Sequence, residues 1–119
     1  MLDKNTELFK VVNVPFLENL QDYVKLAKKI SDAQKEYFTA PLGNDIFQCS
    51  PMNFLTYTHI SHTISGKKDI STPIFDWGKF REVEGKLFMP LSVQVHHSFV
   101  DGVHIGKFAE KLKKYLDEL

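Results

Sequence analysis

The stretch from Pro90 to Leu119 changes its hydrophobic period once, and that change narrows the folds open to the chain. Leu91, Val93 and Val95 alternate with Ser92, Gln94 and His96, the two-residue period of a half-buried strand. Beyond Asp101–Gly102 the apolar positions become Phe108, Leu112, Tyr115, Leu116 and Leu119. These form one stripe of an amphipathic helix expected over about 103–118, with Asp101 placed as its N-cap. A strand that passes through a short turn into a helix needs a sheet layer with helix packed against it, and the chain as a whole is read as α+β.

The remaining segments fill out that arrangement. Residues 7–13, "ELFKVVN", read as a short strand, and Phe16, Leu17, Leu20, Tyr23, Val24, Ala27 and Ile30 predict a helix from about 16 to 36, just after Pro15. Residues 40–52 are broken by Pro41, Gly43 and Pro51 and read as loop with a short strand near Ile46–Cys49. A strand is expected near 53–61. Two more are expected around a turn at Glu82–Gly85, with Pro90 marking an edge or bulge in the second arm. The expectation is one domain over residues 1–119, with a mixed or mostly antiparallel sheet and two main helices.

Charge and cysteine content exclude several functions. Lys+Arg and Asp+Glu number 15 each, so no net field favours nucleic-acid backbones or anionic membranes. Cys49 is the single cysteine, which excludes an internal disulfide and suits a reducing cytoplasm. No apolar run approaches the roughly 20 residues of a membrane span, and "MLDKNTELFK" lacks a signal-peptide apolar region.

The histidines carry the functional signal. Strand alternation sends His97 to the apolar face with Leu91, Val93 and Val95, and sends His96 to the polar face. Desolvation at such a place disfavours imidazolium, and a neutral imidazole can accept a proton as a general base. Taken alone, the same ring reads first as a satisfied histidine at a strand end, and Asp101 as an ordinary cap. His59 and His62 are three apart in a predicted strand and so face opposite sides. With no cysteine pair or local carboxylate to join the five imidazoles, no metal site is expected. Cys49 lacks a companion base and is not expected to act as a nucleophile.

The motif H-H-x-x-x-D-G is spelled here by His96, His97, Ser98, Phe99, Val100, Asp101 and Gly102. With its flanks, "MPLSVQVHHSFVDGVHIGKFAEKL", it resembles the C-terminal signature of chloramphenicol acetyltransferases. The bare motif is shared with peptide-synthetase condensation domains and, with Asp-His for His-His, with dihydrolipoamide acyltransferase cores. The flanks favour the first family, and "NTELFKVV" with the following helix resembles the middle of that family's chain.

The resemblance implies a CoA-dependent acyltransferase fold, of which this chain would be the C-terminal half. It implies that His97 is the general base that deprotonates an acceptor hydroxyl for attack on the thioester of acetyl-CoA, in a ternary complex and with no tightly bound cofactor. Asp101 corresponds to a structural aspartate paired in the family with an arginine from the N-terminal half. Lys79 and Phe80 resemble a Lys-Tyr pair near the coenzyme. The family's oxyanion-stabilising serine lies in a stretch resembling S-x-L-P-W; here "FQCSPMNF" offers Ser50, without the tryptophan. An acceptor-pocket threonine falls at Asp76. The partners implied are acetyl-CoA, a small hydroxyl acceptor such as chloramphenicol, and further copies in a homo-oligomer, trimeric in the family. A non-catalytic remnant or assembly module that keeps the fold, and acyl transfer from a carrier-protein or lipoyl thioester, stand as alternatives.

Overall fold

Asn19 starts the first helix. Its Oδ1 accepts hydrogen bonds from the backbone N–H groups of Gln21 and Asp22 at 2.9 and 3.1 Å, satisfying two of the donors every helix start leaves open. In the computed structural model, which describes residues 6–40, 43, 45–60 and 71–119, helix α1 therefore spans Leu20–Ala33, shorter at both ends than the apolar stripe predicts. At the far end Gln34 turns extended, and its side-chain amide donates to the carbonyls of Val11 and Glu36.

Two compact units divide the chain, Met1–Ile46 and Phe47–Leu119. In the first, residues 10–13 run beside residues 34–40, joined by Val11 N–H to Tyr37 O, Lys10 Nζ to Gln34 O, and Asn13 Nδ2 to the carbonyls of Thr39 and Ala40. The strand expected at 7–13 forms no more than an isolated bridge at Phe9. Glu7 has φ of +57°, outside strand conformation, and side chains take over part of the pairing. Along α1, Tyr23, Ala27 and Ile30 are half-buried, while Leu20 and Val24 are exposed.

The second unit is built on β2, Ile74–Gly78. Strand β1, Gln48–Met52, pairs parallel to it, and β5, Leu91–Gln94, pairs antiparallel on its other side, giving a mixed three-stranded sheet in the order β1-β2-β5. Pro51 is tolerated because β1 is an edge. Between β2 and β5 a small hairpin rises, β3 (Arg81–Val83) against β4 (Lys86–Phe88). Its two-residue turn puts Glu84 and Gly85 at φ of 51° and 74°, the paired positive angles that match strand twist. The anticipated long hairpin is thus split in two, broken at 79–80 on one arm and at 89–90, including Pro90, on the other.

The two faces of β2 differ. Ile74, Asp76 and Gly78 are buried on one face; Phe75 and Trp77 are half-buried on the other. Helix α2, Gly102–Asp117, meets the second face through Phe108, whose ring centroid lies 5.4 Å from that of Phe75; Phe47 meets Phe75 edge-on at 6.0 Å. Ile105 and Leu112, one turn to either side of Phe108, are half-buried, while Phe108 itself keeps exposed surface. On the first face, Leu55 and Tyr57 lie against Gly78. A methyl group at Gly78 would stand 2.8 Å from Leu55 O, 2.9 Å from Pro90 Cγ and 3.1 Å from Tyr57 Cε1.

The strand expected at 53–61 is absent among the described residues: 53–54 turn, and 55–60 continue without ladder pairing. His59 therefore is not in a strand, and His62 lies outside the described residues.

Candidate functional site

Strand β5 stops at Gln94, three residues before His97. The cause is local. The His96 carbonyl accepts from the N–H groups of Phe99 and Val100 at 3.0 and 3.1 Å, and the His96 ring Nδ1 accepts from Ser98 N–H at 3.2 Å. These bonds reverse the chain over residues 97–99, and the His96 ring leans on Phe99 with centroids 5.3 Å apart. His97 therefore sits at the apex of a turn, its side chain 91% exposed. The expectation that strand alternation would bury it on an apolar stripe is corrected, because the turn ends the alternation before the ring is reached.

Asp101 follows in extended conformation (φ −92°, ψ 164°) as the N-cap of α2, as the sequence predicts. The well-formed capping bond runs from Asp101 N–H to His104 Nδ1 at 3.0 Å, while the carboxylate faces the His104 N–H without the geometry of a full cap bond. Asp101 Oδ1 also stands 3.7 Å from His97 Nδ1. That separation exceeds a hydrogen bond. The resemblance expects an arginine beside Asp101; among the described ion-pair contacts the side chain facing Asp101 is the His97 ring.

A second polar group lies in the sheet. Ser50, Asp76 and Ser92 occupy one register row across β1, β2 and β5. Asp76 is fully buried, and Tyr57 Oη donates to its backbone carbonyl at 2.7 Å. Burial, with Asp76 nearby, holds the Tyr57 hydroxyl above its ordinary range, so it stays a donor. The Cys49 thiol is raised for the same two reasons, burial first and Asp76 second, although the residue keeps exposed surface. A raised thiol is mostly protonated near neutrality, in keeping with its expected lack of nucleophilic use.

Ser50 is half-buried beside Asp76, whereas Lys79 and Phe80 are exposed in the break between β2 and β3; Lys79 N–H donates to Leu55 O. The structure thus brings His97 and Asp101 together and groups Ser50 with Asp76 and Ser92. No cluster suited to a metal ion occurs among the described residues. Two contributors were not foreseen. His104 stands at N3 of α2, a spacing from Asp101 that capping rules would flag for Glu or Gln, and Tyr57 reaches a carbonyl 19 residues away.

Fold and turn together place the chain among α+β proteins that carry an exposed histidine beside the aspartate at a helix start. Comparison with known proteins narrows this. The family model for chloramphenicol acetyltransferase matches residues 1–113, and the chain belongs to that family, an acyltransferase family. A chloramphenicol acetyltransferase of Bacillus pumilus is 29% identical over 117 residues, covering 95% of this chain and 53% of the relative. One from Campylobacter coli is 30% identical over 119 residues, covering 97% of this chain and 58% of the relative. A solved chloramphenicol acetyltransferase superposes with a TM-score of 0.79 at 24% identity, over 97% of this chain and 57% of its own; that likeness is one of fold. The chain thus spans about half the length of the relatives it matches. No described helix is long and apolar enough to cross a membrane.

Proposed function

We propose that the chain takes part in moving an acetyl group from acetyl-CoA to a hydroxyl of chloramphenicol or a similar small acceptor, within a ternary complex. The observation that carries this reading is the His97–Asp101 pair at the start of α2, in a chain of this family. His97 Nε2 takes the acceptor hydroxyl proton as the acceptor oxygen bonds to the thioester carbonyl carbon. The resulting oxyanion collapses, the carbon–sulfur bond breaks, and the imidazolium returns its proton to the leaving thiolate. The products are the acetyl ester and free CoA. Asp101 steadies the transient imidazolium from the Nδ1 side. Ser50 is the proposed donor to the oxyanion, and Lys79 and Phe80 the proposed contacts to the coenzyme. Assembly as a homo-oligomer in the cytoplasm belongs to the same reading. The test is product analysis: acetyl-chloramphenicol and free CoA forming in equal amounts support it, and CoA release without ester refutes it.

A second reading, a non-catalytic assembly module, has an observation of its own. Large apolar side chains stand exposed on the β3–β4 hairpin and α2, Leu87 at 69% and Leu116 at 52% among them. Calorimetric titration with CoA separates the two. Saturable binding supports the enzyme, and a folded oligomer that binds no CoA supports the module.

A further inference from the structure

Three histidines surround the turn that carries His97, and their ring nitrogens have different duties. Backbone N–H groups can only donate, so a ring nitrogen that faces one must offer a lone pair. His96 Nδ1 faces Ser98 N–H at 3.2 Å, and His104 Nδ1 faces Asp101 N–H at 3.0 Å. Such a bond is made by the neutral tautomer that carries its proton on Nε2. Among the described hydrogen bonds, His97 is the ring of the three that holds no amide, and its Nδ1 faces a carboxylate instead.

We infer that His96 and His104 are positioning residues whose Nδ1 lone pairs lock the two ends of the turn, leaving His97 as the ring free to gain and lose a proton. The geometry separates the roles. His96 closes the turn on the N-terminal side through three acceptor bonds, one from its ring and two from its carbonyl. His104 closes the C-terminal side by capping Asp101, the residue that stands beside His97. A proton arriving at His97 adds an attraction to Asp101 and leaves these bonds intact. A proton arriving at Nδ1 of His96 or His104 sets a donor against a donor and opens that end of the turn. The Asp101 carboxylate and the His97 ring face each other in this assembly, and Lys107 and Lys111 follow His104 on α2 at three and seven positions. The catalytic consequence rests on the acyl-transfer reading; the hydrogen-bond assignment does not.

The test uses the intact chain, labelled with nitrogen-15. Long-range proton–nitrogen correlation reads the tautomer of each imidazole, and the Ser98 and Asp101 amides are followed against pH. At neutral pH His96 and His104 are expected as Nε2–H tautomers, and the Asp101 amide shift tracks His104 titration. His104→Gln keeps an acceptor at N3 but removes its titration, so the Asp101 amide loses that transition while Ser98 keeps its own. His96→Asn does the converse. His104→Ala removes the acceptor and speeds Asp101 amide exchange about five-fold, the equivalent of a cap of about 1 kcal/mol. An Nδ1–H tautomer at His104, or an Asp101 transition that persists in His104→Gln, overturns the inference. In the thiol-release assay a loss in His104→Ala that His104→Gln recovers supports the positioning role, and equal rates in the two variants overturn it. If the parent chain shows no turnover, the acyl-transfer reading fails, while the tautomers still decide this inference.

Discussion

Gly78→Ala is the sharpest test of how the sheet is closed. The added methyl would lie 2.8 Å from Leu55 O and 2.9 Å from Pro90 Cγ. Ordinary carbon–oxygen contact begins near 3.3 Å and carbon–carbon contact near 3.5 Å, so each neighbour must yield by about 0.5 Å. Neither is free to do so cheaply. Leu55 O accepts the Lys79 N–H at 2.7 Å, and Pro90 O accepts the Gly78 N–H at 3.1 Å, so retreat strains the bonds that border the β2–β5 break. Overpacking of this kind costs about 1–3 kcal/mol, and the reduced chain entropy of alanine in the unfolded state returns about 0.4–1 kcal/mol. With the middle of each range, the net expectation is a loss of about 1.3 kcal/mol, read as a lower urea midpoint at unchanged slope. An unchanged or raised midpoint would refute the packing of Leu55, Tyr57 and Pro90 around Gly78.

Two further predictions concern the buried polar row. Tyr57→Phe removes the hydroxyl donor to Asp76 O and should cost about 1 kcal/mol in the same denaturation assay, and no change would remove that bond from the account. Cys49 should be alkylated by iodoacetamide with a pH midpoint above that of a cysteine in a short peptide, and Asp76→Asn should lower that midpoint while leaving the share due to burial. A midpoint at or below the peptide's counts against it. Because the Cys49 thiol and the Tyr57 phenol are both raised in the folded chain, the folded state holds more protons at alkaline pH. Their stabilising contribution is complete below the unfolded-state values and is lost as pH rises through the folded ones.

The parts of the fold that were legible from sequence are those set by local physics. Helix α2 and its cap at Asp101 followed from a change of period and one capping residue, and the β3–β4 turn from a glycine that accepts positive φ. The mixed sheet was anticipated, but parallel pairing of β1 with β2 joins residues 26 positions apart and leaves no local signature. "NFLTYTH" was misread as a strand: residues 53–54 turn, and the Leu55 carbonyl and the Tyr57 ring pack by Gly78 without forming a ladder. The site was legible in its motif and misread in its environment. His97 was expected on a buried stripe, yet the His96 carbonyl and ring turn the chain first. The acceptor roles of His96 and His104 escaped because capping rules name Glu and Gln at N3.

The central claim is that His97 is the base for acyl transfer, and the comparison of the parent chain with His97→Ala tests it most directly. Chloramphenicol-dependent release of thiol from acetyl-CoA is followed at neutral pH on folded, matched samples. The account predicts turnover in the parent and a fall of about 10²–10⁴-fold in the variant, the range for loss of a general base. Equal rates in the two proteins would contradict it.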